Sequence, residues 1–297
     1  MGGWKIKGLD YPWNFASLFA AAVPVMALAA FLSSRFFIPL PEVEVVREPF
    51  SKVGSLCAGI LVGLASLSLY FFEITVAGHF MLALAGVLFV HHFRDILTRR
   101  LLLIATIVTV FIYTGNTIPS NMNLYTLHIL DNLPQNYAGF QNAFRFGFKV
   151  VVGLLLGWIL TKTHPKAGIL LIGCIFVAAQ LWAIFATGTM YLIAFGIYGA
   201  GELIDVYAPN YILSASPNPQ IRRNMAFVTM LMAPAAPTGY LFGAISDYVR
   251  EHNIIAFGVI NSQAFGFQMS FAICAAMMLV GILIAICWLP ARPKPDS

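Results

Sequence analysis

Apolar residues fall in blocks of about twenty along this chain, and most of the prolines and charges lie between the blocks. A helix that crosses the roughly 30 Å hydrocarbon layer of a bilayer needs about 20 mostly apolar residues. Nine runs meet that requirement, near 13–34, 54–72, 76–93, 101–118, 138–160, 167–187, 190–213, 225–246 and 267–289. None alternates with period two, so the pattern predicts helices and argues against a membrane β-barrel. The first run is too long for the usual core of a signal peptide, lacks a clear small-residue cleavage site and runs into Arg35. It therefore counts as a helix.

The segments between the runs add direction. Residues 35–53 hold three prolines and six charges and read as a linker. Residues 119–137, rich in Asn and containing Pro119 and Pro134, and residues 247–265 read as the two long loops of the opposite side. One set of connecting segments carries Arg35, Arg47, Lys52, Arg94, Arg99, Arg100, Lys162, Lys166, Arg222, Arg223, Arg292 and Lys294; the other carries Lys5, Lys7 and Arg250. Basic residues accumulate on the cytoplasmic side, so the C-terminus is expected there. Nine spans then put the N-terminus outside. That combination suggests the C-terminal part of a longer chain.

Composition agrees with the pattern. Of the 297 residues, 60% are apolar and 10% charged, against about 25% charged in a soluble domain. That excludes a soluble enzyme, a nucleic-acid binder and a disordered protein as the main reading. The net charge of +5 follows from the basic connecting segments and implies no nucleic acid. Cys57, Cys174, Cys274 and Cys287 lie inside apolar runs, with no CxxC pair, and read as small core residues. The six histidines show no metal spacing, and no phosphate-binding loop of the Walker type is present. No cofactor, metal or catalytic residue is expected, and the chain is not expected to be an enzyme.

Three stretches carry a resemblance. The turn Gly157-Trp-Ile-Leu-Thr-Lys-Thr-His-Pro-Lys166 is similar to the cytoplasmic loop signature Gly-x-Leu-x-Asp-Arg-x-Gly-Arg-Arg of the major facilitator superfamily. Gly157, Lys162 and Lys166 match in type; Thr161 replaces the acid and His164 the second glycine. Arg222-Arg223-Asn224-Met225-Ala226 resembles the start of that family's eleventh helix, and the Pro/Gly-rich stretch from Ala233 to Asp247 resembles its body. In order and spacing they cover about 190 residues, from residue 101 to 290. The resemblance implies an all-α polytopic protein whose last six helices form the C-terminal bundle of a secondary transporter. Gly157, Lys162 and Lys166 then belong to a gating loop. Residues 1–100 would be three helices with the 35–53 linker, of the kind that precedes this bundle in fourteen-helix members, and 291–297 a cytoplasmic tail. A missing N-terminal bundle is a partner the resemblance implies.

Ionisable residues within the runs mark candidate function, since each costs roughly 2.5–3.5 kcal/mol at the bilayer centre on insertion scales. Glu202 and Asp205 stand at i, i+3 in one run, with Tyr198 on the same side; Arg145 and Lys149 stand at i, i+4 in another. Two acids and two bases invite pairing. The resemblance puts both helices on a central cavity, where the acids bind a proton or another coupling ion and the bases bind or gate. The alternative is a fixed ion-pair network that only holds the bundle together. Asn116 lies beside Gly115 and Pro119, which interrupt their run. Either a discontinuous helix offers backbone groups to substrate there, or the helix simply leaves the membrane. Gly153-xxx-Gly157 and Gly239-xxx-Gly243 predict close helix packing. Gly196, Gly199 and Gly201 predict either a bend or a bulky neighbour.

The expectation is a symporter, antiporter or facilitator of a small solute in the plasma (inner) membrane, with Glu202, Asp205, Arg145, Lys149, Tyr198 and Asn116 at its site. The alternatives are an intramembrane enzyme acting on a lipid-linked substrate, using Glu202 and His164, and a non-transporting membrane subunit.

Overall fold

The structure, a computed structural model, describes residues 50–130, 136–216, 221–232, 235, 238–255 and 262–294, with isolated positions between 23 and 31. Most of the expected first span and most of the 35–53 linker lie outside the described residues. Everything regular among the described residues is helical. This is what a lipid solvent demands, because backbone N–H and C=O groups find no water there and must pair within their own segment.

Helices α1 (Phe50–Phe71) and α2 (Thr75–His92) form a hairpin. The turn at Glu73 takes a left-handed backbone, φ 61°. Ser66 Oγ donates to the Gly78 carbonyl at 2.8 Å across the pair. The hairpin packs mainly on itself, and Leu61, Leu67, Phe71, Val76, Phe80 and Val87 are exposed, as lipid-facing side chains are. The short α3 (Arg94–Leu97) leads to α4 (Arg100–Tyr113).

From there the chain departs from the predicted pattern. The run at 101–118 does not end in a loop. It passes through a 3₁₀ turn at Thr114–Thr117 and continues as α5 (Pro119–Leu130). The whole stretch Arg100–Leu130 has 31 residues, roughly 46 Å at about 1.5 Å per residue. Pro119 lacks the N–H that an unbroken helix would need and sits instead at a helix start, where none is required. Hydroxyls stitch the turn: Thr114 Oγ1 donates to Phe111 O at 2.7 Å and Thr117 Oγ1 to Thr114 O at 2.8 Å. Thus 119–130, expected as a loop, is helix, with Asn121, Met122, Tyr125 and Thr126 buried.

Helix α6 (Ala138–Lys162) and α7 (Pro165–Phe185) follow, α7 capped by His164, whose Nδ1 accepts from the Ala167 N–H at 3.2 Å. The run at 190–213 is also interrupted. It comprises a 3₁₀ turn (Gly188–Leu192), α8 (Ile193–Gly201) and α9 (Ile204–Ala215), with Glu202 and Leu203 between α8 and α9. Through the junction Leu203 N–H donates to Ala200 O and Asp205 N–H to Glu202 O, both 3.3 Å and both of i→i−3 type. Pro209, inside α9, has no N–H for the Asp205 carbonyl.

The run at 225–246 is described as two helices, α10 (Ile221–Met232) and α11 (Thr238–Glu251), on either side of Pro234 and Pro237. Neither alone is long enough to span. Helix α12 (Ser262–Trp288) is the last described helix. Among the described residues seven segments are long and apolar enough to cross a membrane, against the nine expected. The protein is an all-α, multi-pass membrane protein.

Helices α7 and α12 form the centre of the core, with α4 and α8 packed against them. Ile112, Ile172, Phe176, Phe271, Cys274 and Met278 are fully buried there. Of the cysteines only Cys274 is core; Cys57, Cys174 and Cys287 are exposed, because an apolar run in a bilayer has an outer face as apolar as its inner one. Lys166 Nζ donates to the carbonyls of Ile286 (2.9 Å) and Leu289 (2.7 Å), and Tyr211 Oη to that of Pro290 (3.0 Å). The start of α7, the end of α9 and the end of α12 therefore share one end of the bundle.

Candidate functional site at two interrupted helices

The two interruptions lie side by side. Gly115 belongs to the first and Gly201 to the second, and both abut the ring of Phe176 on α7. A Cβ on Gly115 would lie 2.9 Å from Phe176 Cγ, and one on Gly201 2.6 Å from Phe176 Cε1. Tyr198, on α8, closes the remaining gap. Its hydroxyl donates to Asn116 Oδ1 at 2.9 Å and lies 3.5 Å from Glu202 Oε1.

Glu202 is 7% exposed. It receives Arg145 Nε on Oε2 at 2.8 Å and Arg145 Nη2 on Oε1, a side-on bidentate pair. Lys149 Nζ stands 3.5 Å from Oε2. The Arg145 guanidinium also lies 5.5 Å from the centroid of the Tyr198 ring, a cation–π distance. One carboxylate thus faces two cations and one phenol, inside a bundle where an unpaired charge would be costly.

What brings α6 and α8 this close is glycine. Gly199 meets the backbone of Arg145 and Gly196 the ring of Phe148. Here the glycines accommodate bulky neighbours and a close backbone approach.

The structure therefore brings Arg145, Lys149, Glu202, Tyr198 and Asn116 together. Asp205 is exposed. The i→i−3 turn after Glu202 separates the two acids, though Lys149 and Glu202 remain within electrostatic range of Asp205. The other expected residues lie elsewhere. Lys166 caps α12 and Lys162 is exposed in the last turn of α6. Gly157, expected to pack closely, has nothing among the described residues within 4 Å of an added Cβ. Its neighbour Leu156 takes the inward position, about 100° round the helix. Gly243 is likewise open, whereas Gly239 approaches Thr117 O at 3.2 Å and Gly153 makes ordinary contact with Leu203. His164 and Glu202 do not meet: Glu202 pairs at Arg145 and Lys149, while His164 lies beyond Lys162, roughly 20 Å further along α6 at about 1.5 Å per residue.

A cavity of about 340 Å³ adjoins the ion pair, lined by Pro119, Asn123, Ala138, Gln141, Asn142, Arg145, Phe195 and Tyr198. Gln141 was findable: it precedes Arg145 by one turn, continuing the polar stripe Gln141, Arg145, Lys149 at i, i+4. Its Nε2 donates to Thr126 Oγ1 at 3.2 Å. Pro119 and Asn123 were hidden by the loop-like composition of 119–137. Among the described residues no cluster of three or more His, Cys, Asp or Glu side chains is placed to hold a metal. No protein-family model matches this chain, and no curated protein matches it in sequence. Sequence and fold together make it a polytopic, all-helical membrane protein.

Proposed function

We propose that the protein is a secondary transporter, or the C-terminal portion of one, that moves a small solute by alternating access in the manner of the major facilitator superfamily. The observation that carries the reading is the abutment of two interrupted helices at an ion pair between half-buried Arg145 and buried Glu202, beside a solute-sized cavity. Interrupted helices place polar backbone and charge at membrane depth only where they line a cavity or are buried in protein. Glu202 is the candidate for proton or ion coupling, Arg145 and Lys149 its counter-charges, and Tyr198 and Asn116 the contacts that join the two interruptions. Asp205 is a candidate second acid, reached through Lys149. Gly157, Lys162 and Lys166 are the candidate gating turn, and the C-terminus is assigned to the cytoplasm.

The test is uptake by the purified chain in sealed vesicles, with an imposed proton or sodium gradient and a panel of labelled small solutes. Gradient-dependent uptake that Glu202→Gln abolishes supports the proposal. Absence of both uptake and solute exchange across the panel counts against it.

A further inference from the structure

We infer that the cavity beside Arg145 is a binding site for an oxyacid group, carboxylate or phosphate. It rests on the transport reading only for the fate of the bound group. The lining is chemically one-sided. Among the described residues Arg145 is its sole ionised side chain, Asn123, Gln141, Asn142 and Tyr198 supply neutral hydrogen-bonding groups, and no acid lines it. Glu202 and Lys149 do not line it either. Glu202 grips the guanidinium through Nε and Nη2, two of its five N–H donors. The Nη1 amino group and the second Nη2 proton remain.

A planar pair of N–H donors matches the two oxygens of a carboxylate or phosphate. Glu202 holds the guanidinium in place, so little order is lost when a second oxyanion arrives. Charge favours it as well. Arg145 and Lys149 together carry two positive charges against one negative on Glu202, and the balancing acid, Asp205, is exposed and outside the cavity lining. A cation entering the cavity would face the guanidinium directly. The volume of about 340 Å³ sits at the small end of ligand pockets.

The oxyacid group has two sources, a free solute or a lipid headgroup, since α6 lies at the bundle surface with Phe146, Val150 and Leu154 exposed. The experiment separates them. The full chain, purified in a maltoside detergent, is melted against inorganic phosphate, succinate, choline chloride, and sodium chloride at matched ionic strength. A parallel arm uses mixed micelles containing phosphatidylglycerol. We expect saturable stabilisation by phosphate or succinate and none by choline or chloride. Asn142→Leu and Asn123→Leu, both at exposed positions, should leave the unliganded melt unchanged and weaken anion binding about tenfold, a factor typical of one lost hydrogen bond. Stabilisation by phosphatidylglycerol alone, with the same sensitivity to these variants, assigns the oxyacid to a headgroup. No stabilisation in any anionic arm, an equal effect of choline, or an effect insensitive to both variants overturns the inference. Anion binding without any vesicle uptake keeps this site and removes the transport reading. Uptake confined to neutral or cationic solutes, without anion binding, does the reverse.

Discussion

Gly199 lies with its backbone against that of Arg145: a Cβ on Gly199 would come within 2.7 Å of the Arg145 Cα and carbonyl carbon. Glu202 follows three residues later, on the same side of its helix, and so reaches the Arg145 guanidinium. The ion pair depends on this bare backbone contact. Gly199→Ala should therefore cost about 1–3 kcal/mol by overpacking against atoms that cannot rotate away. Gly157→Leu, which adds bulk into open space, should stay within about 0.5 kcal/mol of the parent. Thermal melts in detergent compare the two; equal effects would place the α6–α8 contact elsewhere.

Removing Arg145 leaves the buried Glu202 carboxylate with only the more distant Lys149, at 3.5 Å, a cost at or below the about 3–5 kcal/mol of stranding one partner of a fully buried pair, whereas replacing both by apolar groups of similar size is far milder. Arg145→Met should therefore be reduced in the membrane fraction. Adding Glu202→Leu should recover part of the yield, with Lys149 left facing Asp205 alone. Immunoblots of membranes from the single and double variants report this directly. Full expression of Arg145→Met would show that Lys149 alone satisfies Glu202.

Gln180 on α7 is fully buried, and among the described residues neither of its amide atoms has a hydrogen-bond partner. Desolvating an amide without a partner costs about 1–3 kcal/mol on protein scales. Gln180→Met conserves length and removes that penalty, so it should raise stability by about 1 kcal/mol or more. A melt lowered by the substitution would mean that an internal water pairs with the amide.

Lys166 donates to two carbonyls at the end of α12. Those carbonyls have no partners in their own helix, and a cation there also meets the negative end of the helix dipole. Lys166→Met should destabilise by about 1 kcal/mol and speed amide hydrogen exchange at the end of α12. Unchanged exchange there, together with altered uptake, would favour the gating role.

Much of the candidate site was legible because charge in an apolar run is conspicuous. Arg145, Lys149 and Glu202 each break a hydrophobic stretch, and the i, i+4 spacing put the two bases on one face. The join across 57 residues between Arg145 and Glu202 was an inference from cost, not from pattern. The helix at 119–130 was not legible, since its Asn and Pro content mimics a loop. Tertiary contacts override that composition: Tyr191 Oη donates to the Met122 carbonyl at 2.7 Å, and Gln141 to Thr126. Gly157 misled for another reason. A small-xxx-small spacing identifies a face that permits close approach, but not whether a neighbour occupies it.

Phe176 fills the space left by two missing side chains, at Gly115 and at Gly201, on two segments far apart in sequence. The three positions are consequently tied in what they tolerate. A methyl group at Gly201 is accommodated only if residue 176 shrinks, one at Gly115 only if the Met278 sulfur, 2.6 Å from such a methyl, gives way as well, and a smaller residue at 176 leaves both interruptions resting on a void. Substitution here must proceed in concert, so that Gly201→Ala should be rescued by Phe176→Leu and by little else. The same ring makes the two interruptions mechanically one joint: neither can straighten or swing without displacing it, and whatever displaces it is felt by both.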